Sequence, residues 1–333
     1  MFHKPYSPFI KDRETMDNGF SKGWGFHFPP SEEYVIDCHA HCCVPSGSKE
    51  EIIDTLNRWY SYTEAYRQQK LIALVEEKDQ FEVYSEVCKE DSRIHWMFWP
   101  KADEPDLDAI KKAYELGACG LKLHNYRIMS GEVPFEIWES PEWQEIFAFL
   151  NAHKIPVLWH VTQRVSYSPY HGGGYNPYFK DGQAKGIYIT NQMLLDQFCG
   201  IMDKYPNIPI IAAHQMYLGL DRMAELMDKY PQLTFDTTVG FYMRWCDTIY
   251  EEDREIYYDF FMKYTDRLLF GTDTDLRPDA VSHYQVEAFA CHLRFIHQLR
   301  LPYDELQMVL YKNSERVLGL PASDSARKHN ARP

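Results

Sequence analysis

Four stretches of this 333-residue chain end an apolar run on a side chain that can bind a metal or move a proton. The first reads Val35-Ile36-Asp37-Cys38-His39-Ala40-His41. Residues two apart on an extended strand project to the same face, so His39 and His41 aim two imidazoles at one point. Two neutral ring nitrogens converging at short range suit a first-row divalent metal. The other three are Val157-Leu158-Trp159-His160, Ile211-Ala212-Ala213-His214 and Phe270-Gly271-Thr272-Asp273. One histidine at a strand end is more often a satisfied core residue. Four histidines and a carboxylate, all following apolar strands, point to a shared site.

These residues need elements to bring them together. Eight apolar runs read as strands: Tyr34–Asp37, Leu71–Val75, Ile94–Trp99, Gly120–Leu123, Val157–Val161, Ile210–Ala213, Leu233–Thr237 and Leu268–Gly271. The second is the least distinct, because Lys70–Glu77 also fits a helical period. Amphipathic segments lie between them, among them Asp106–Leu116, Pro141–His153, Asn191–Lys204 and Leu218–Lys229, the last two each running into Lys-Tyr-Pro. Strand followed by helix, repeated, implies a parallel sheet with crossover helices, and eight such units predict a closed (β/α)8 TIM barrel. A Rossmann sheet is disfavoured because Gly23-Trp24-Gly25 has no third glycine in register and no strand before it. Reactive groups in a barrel collect at the C-terminal ends of its strands, where these four motifs would place theirs.

The organisation expected is an extended aromatic-rich arm over residues 1–33, a barrel over 34–321 and a frayed tail over 322–333. A long loop over Thr162–Gly186 follows the fifth strand, with His171-Gly172-Gly173-Gly174 and five tyrosines or phenylalanines, and reads as a lid or binding loop. The net charge of −14 disfavours nucleic acid and anionic membranes as partners. The charged N-terminal stretch lacks a secretory h-region, and no apolar run is long enough to span a membrane. Eight irregularly spaced cysteines without a C-x-x-C then read as reduced thiols, which makes the cytoplasm the expected compartment. Serine hydrolysis is disfavoured for want of a G-x-S-x-G elbow, and P-loop, H-E-x-x-H and zinc-ribbon spacings are missing as well.

The motifs together resemble the amidohydrolase superfamily, and within it the branch of amidohydrolase-2 proteins and aminocarboxymuconate semialdehyde decarboxylase. The segments that carry the resemblance are Val35–His41, Gly120–His124, Pro156–His160, Pro209–His214, Pro231–Thr237, Leu268–Asp273 and the closing Val309–Leu320. The resemblance implies that His39, His41, His160 and Asp273 ligate a metal. Asp273 would also take a proton from metal-activated water, and His214 would polarise substrate or shuttle a proton. It implies one divalent ion, zinc first with manganese or iron as alternatives. A binuclear centre bridged by a carboxylated Lys122 is the less favoured form.

The activity expected is a metal-dependent hydrolase cleaving a C–N or C–O bond of a small cyclic or aromatic substrate. The alternative is a non-oxidative decarboxylase of an unsaturated or phenolic acid, and a third reading is a metal-free lactonase. Lys122, His124 and Arg164 are candidate substrate-binding residues, with Arg127 and Arg277 as further cations for a carboxylate. Asp37 could orient a ligand imidazole or simply cap its strand. Cys38, Cys42 and Cys43 read as buried structural thiols. Tyr126, Trp159, Tyr167, Tyr170, Tyr175 and Tyr178 suggest an aromatic-lined mouth, unless they are ordinary packing. The aromatic arm makes a homodimer conceivable on composition alone.

Overall fold

Runs rich in Val, Ile, Leu, Trp and Phe, too short for helices, pair as parallel strands in this computed structural model. It describes residues 34–41, 47–63, 66–163, 177–238, 251–275 and 283–323. The strands are β1 (Val35–Asp37), β2 (Gln68–Val75), β3 (Ile94–Phe98), β4 (Leu121–His124), β5 (Val157–His160), β6 (Ile210–Ala212), β7 (Leu233–Asp236) and β8 (Leu268–Leu269). They follow one another around a single eight-stranded sheet in chain order. Hydrogen bonds then link its two ends: Cys38 N donates to Phe270 O at 3.0 Å and Asp273 N to His39 O at 2.7 Å. Beyond them, Ala40–His41 and Thr274–Asp275 form a small parallel ladder. The result is a TIM barrel.

Helices α1 (Lys49–Thr63), α2 (Phe81–Glu90), α3 (Leu107–Glu115), α4 (Pro141–His153), α5 (Asn191–Lys204), α6 (Leu220–Lys229), α7 (Glu251–Lys263) and α8 (His283–Gln298) each follow one strand. Their starts carry local signals. Asp106, Ser140 and Thr190 accept the N–H three residues on as N-caps of α3, α4 and α5, and Pro141 occupies the first turn of α4.

The strand and helix readings hold to within a few residues. The segment after Leu71 is a strand and not a helix; it is all apolar from Leu71 to Val75 and buried on both faces. Helix α6 begins two residues later than its periodicity suggests, because the chain from His214 to Tyr217 runs left-handed (φ 56°, 50°, 49° and 55°).

Strand parity divides the side chains. On β5, Val157 and Trp159 face the helices while Leu158 and His160 face the barrel axis. Trp159 packs against Phe147 of α4 and Phe198 of α5, with ring centroids 5.7 and 5.4 Å away. Its indole N–H and that of Trp138 both donate to Oδ1 of buried Asn125, at 3.1 and 3.0 Å. Trp159 is therefore an outer-layer core residue and not part of a mouth. The arm over residues 1–33, most of the loop after β5 and the end of the tail lie outside the described residues. Among those described, no helix is long and apolar enough to cross a membrane.

Candidate metal centre

The centre is built from strand ends. After β1 the chain leaves the ladder for two residues, and Asp37 holds this break in place. Its carboxylate accepts from His39 N at 3.2 Å, Thr272 N at 3.1 Å and Thr272 Oγ1 at 2.5 Å. Asp37 thus ties the end of β1 to the end of β8, which is the strand-cap role. Burial, ahead of the hydrogen bonds that oppose it, raises its carboxyl to about 7.

Close approach of β8 needs Gly271. A Cβ there would lie 3.1 Å from His39 Cβ, 3.2 Å from Cys38 Sγ and 3.3 Å from Asp236 Cβ. Two residues on, Asp273 takes a left-handed conformation (φ 60°), which Asp tolerates better than most residues, and both Thr272 N and Asp273 N donate to His39 O. This turn sets the Asp273 carboxylate among the histidines. Oδ1 lies 2.9 Å from His41 Nε2 and 3.2 Å from His39 Nε2, and Oδ2 lies 3.8 Å from His214 Nε2. His39, His214 and Asp273 can offer three ligand atoms all within 4.8 Å of one another. Burial alone would raise the Asp273 carboxyl, whereas positive charge on His214, His41 or His39 would hold it well below the usual carboxylate range.

His39 and His41 do converge on one carboxylate oxygen, although the strand is broken between Asp37 and Ala40. Their exposure differs: His39 is sealed, whereas a third of His41 faces solvent. His160 comes from β5, with its ring 4.4 Å from that of His214. Its Nε2 is buried and has no hydrogen-bond partner. Burying an imidazole nitrogen without a partner costs about 1–3 kcal/mol unless a ligand satisfies it. Burial, first, and the neighbouring histidines and Lys122 push His160 well below its ordinary value. Burial also pushes His39 well below and His214 down to about 4, so these rings are neutral and keep a lone pair. Neutral imidazoles around one carboxylate form a donor set that fits a divalent cation.

The left-handed turn aims His214. It follows β6 directly, and such a run costs roughly 1–2 kcal/mol per residue. Three anchors hold it. Gln215 donates its amide N–H groups to the backbone carbonyls of Asp236 and Thr238, Thr162 Oγ1 donates to Met216 O at 2.6 Å, and His214 N donates to Asp236 Oδ1 at 2.8 Å.

Lys122 on β4 is fully buried, and its Nζ lies 2.9 Å from His39 Nε2. Its hydrogen-bond partner is thus His39. Burial lowers it to about 8, against the attraction of Asp273 and Asp236. His124 is opposite His160 in the β4–β5 register, and the rings stack with centroids 4.0 Å apart. Tyr126 N donates to His124 Nδ1 at 2.9 Å. A backbone N–H can only donate, so Nδ1 keeps its lone pair and neutral His124 carries its proton on Nε2. That tautomer makes His124 a donor and unsuits its Nε2 as a ligand. The Trp99 ring is nearly parallel to that of His124, with centroids 6.1 Å apart, and Tyr126 and Tyr178 pack near it.

Arg127 is taken up by Asp103 and, at 3.1 Å, by Glu132. Arg164, Arg277, Tyr167, Tyr170, Tyr175, Cys42 and Cys43 lie outside the described residues. Cys38 is buried and burial raises its thiol well above the ordinary value, as suits a structural thiol.

Two residues of the centre have no role in the sequence reading, although Asp236 lies inside the Pro231–Thr237 segment. Asp236, at the end of β7, takes the Nδ1 of His39 on Oδ2 at 2.7 Å. Thr238 Oγ1 lies 2.8 Å from His214 Nδ1. The rule that selects Asp273, a carboxylate ending an apolar strand, selects Asp236 as well, so a signal was there to read.

With this geometry in hand, comparisons place the chain. The family model described as amidohydrolase matches residues 36–320. No curated protein matches. Solved structures do. A probable 2-pyrone-4,6-dicarboxylic acid hydrolase from Acinetobacter baumannii, with citric acid bound, superposes at a TM-score of 0.54 and 12% identity, covering 86% of this chain and 99% of that one. A dihydroxybenzoic acid decarboxylase from a Polaromonas species, with bound manganese and the inhibitor 2-nitroresorcinol, gives 0.51 at 11% identity, covering 89% and 99%. Dihydroorotase from Campylobacter jejuni gives 0.51 at 13% identity, covering 90% and 88%. At such identities the likeness is one of fold.

Proposed function

The chain belongs to the amidohydrolase family and is an enzyme, and from that premise we propose that it is a metal-dependent hydrolase of a small cyclic or aromatic substrate, cleaving a C–N or C–O bond. The observation that carries this reading is the Asp273 carboxylate with Nε2 of His39, His41 and His214 at 3.2, 2.9 and 3.8 Å, beside the unpartnered Nε2 of His160. His39, His41, His160 and Asp273 would hold one divalent ion, zinc before manganese or iron, and His214 stands next to them. When bound, such an ion supplies Lewis acidity, polarising a substrate oxygen and making water acidic enough to ionise near pH ~7.

The rest is the work of this chain's side chains. Asp273 accepts a proton and can return it to the leaving group. Neutral His214 relays a proton beside it. His124 presents an Nε2–H as a hydrogen-bond donor for a substrate oxygen. The aromatic faces of Trp99, Tyr126 and Tyr178 near His124 support a flat substrate. Arg164 remains a candidate partner for a substrate carboxylate.

Lys122 supports a second reading. A buried ammonium beside His39 could neutralise the carboxylate of an unsaturated or phenolic acid, as a decarboxylase requires. Cys38, Cys88, Cys119 and Cys199 are free thiols, which supports a reducing compartment such as the cytoplasm. A homodimer stays a proposal from composition.

Three measurements decide between the readings. Metal content per chain is measured alongside turnover of cyclic amides and lactones and carbon dioxide release from hydroxybenzoic acids. One ion per chain with water-dependent ring opening is the expected result. Carbon dioxide release without hydrolysis selects the decarboxylase, and full lactone turnover with no metal selects the metal-free lactonase.

A further inference from the structure

We infer that Asp236 is a positioning residue that fixes the tautomers of two histidines at once, holding His39 directly and His214 through the hydroxyl of Thr238, so that both turn a bare Nε2 toward Asp273. The inference deepens the proposed function, since it rests on His39 and His214 facing a cation.

The hydrogen atoms can be accounted for one by one. Asp236 Oδ1 accepts from His214 N at 2.8 Å and from Thr238 N at 3.3 Å. Both are backbone N–H groups and can only donate, so Oδ1 acts as an acceptor. Thr238 Oγ1, 2.8 Å from the same Oδ1, must therefore spend its single hydrogen there. The hydroxyl then has two lone pairs and no hydrogen left. One lone pair takes His214 N–H at 3.1 Å. The other faces His214 Nδ1 at 2.8 Å, which must be the donor. His214 thus carries its proton on Nδ1 and leaves Nε2 bare.

The other oxygen does the same for His39 without an intermediary. Oδ2 lies 2.7 Å from Nδ1, and Lys122 Nζ, which can only donate when charged, sits 2.9 Å from Nε2. His39 therefore also carries its proton on Nδ1. Asp236, Thr238, His39 and His214 are all buried, so water does not compete for these contacts. A ring whose second nitrogen is held this way loses the tautomer that would block its ligating atom. His124, with Nδ1 accepting from Tyr126 N, is held in the opposite tautomer.

The test uses the full chain, metal-free and labelled with nitrogen-15 in its histidines, because ring nitrogen shifts separate protonated from bare positions. In the unaltered protein, Nδ1 should be protonated and Nε2 bare in both His39 and His214. Thr238→Val removes one hydroxyl at nearly constant shape. It should release His214 to averaged shifts while His39 keeps its own, and Thr238→Ser should restore His214. Asp236→Asn should disturb both rings; Thr238→Val carries the test if that variant does not fold. Titration with zinc should show about a tenfold weaker affinity in Thr238→Val and a larger loss in Asp236→Asn. A protonated Nε2 on His214 in the unaltered protein, or an unchanged His214 ring in Thr238→Val, would overturn the inference. Rings that respond as expected with zinc affinity equal in every variant would uphold the role of Asp236 and remove the metal reading instead.

Discussion

Nζ of Lys122 lies 2.9 Å from Nε2 of His39, the same ring atom that faces the Asp273 carboxylate at 3.2 Å. A buried ammonium thus stands where a cation would draw on that lone pair. A metal held as proposed would compete with the lysine for this nitrogen. Replacing the lysine by Met keeps its length and removes its charge. Lys122→Met should bind one divalent ion per chain, as the unaltered protein should, with affinity tighter by about tenfold or more through loss of a like charge nearby. Metal analysis together with a zinc titration reads both quantities. A fall from two ions to one would show a bridging lysine instead.

Asp273 has both structural and chemical claims on it. Asp273→Asn keeps the shape and one acceptor oxygen but loses the charge and the basicity. Turnover should fall by about 10²–10⁴-fold, while some metal stays bound. Measuring metal content and kcat on the same preparation separates the two losses. Unchanged turnover would refute its role as proton carrier.

Asn125 joins the site to the outer layer of the barrel. Its Oδ1 accepts the indole N–H groups of Trp138 and Trp159, and its Nδ2 donates to Val161 O at 3.0 Å. Asn125→Leu leaves those two buried donors without an acceptor, and each costs about 1–3 kcal/mol. The variant should be less stable by roughly 2–5 kcal/mol in urea denaturation. A loss within experimental error of zero would mean that water or a shifted carbonyl takes over the indoles.

His95 offers a titration away from the centre. Burial, then Lys70, lowers it from 6.5 to about 4, and its Nε2 has no hydrogen-bond partner. The folded form therefore binds this proton less readily than the unfolded chain. Stability from this group is complete above about pH 6.5 and is lost as pH falls toward 4. His95→Leu cannot take up that proton. Across this window its stability should fall less steeply with acid, by up to about 1.4 kcal/mol per pH unit. Denaturation midpoints at a series of pH values give the slope. The other buried histidines keep the remaining slope above zero.

The barrel and most of the centre follow from local patterns. Strand, helix, strand in eight repeats forces parallel pairing, and a polar residue closing an apolar strand must emerge at one end of the barrel. His39, His160, His214 and Asp273 are selected by that rule without any coordinates. Parity along β5 also carried the position of Trp159, since it precedes His160 by one residue and so faces the other side.

What the chain alone determined was which side chains reach the shared end of the barrel, because period and strand polarity are local properties. Only the tertiary structure decided what each nitrogen does there. Asp236 meets His39 across 197 residues of sequence, and Thr238 meets His214 across 24. Neither pairing exists until the ends of β1, β6 and β7 are brought together by the barrel. The left-handed turn over His214–Tyr217 is decided the same way, since its residues lack the glycine or asparagine that would signal it, and it persists through anchors from Thr162 and the end of β7. Composition and spacing supply the imidazoles. A tautomer depends on the hydrogen-bond partner at the far nitrogen, and that partner comes from another strand.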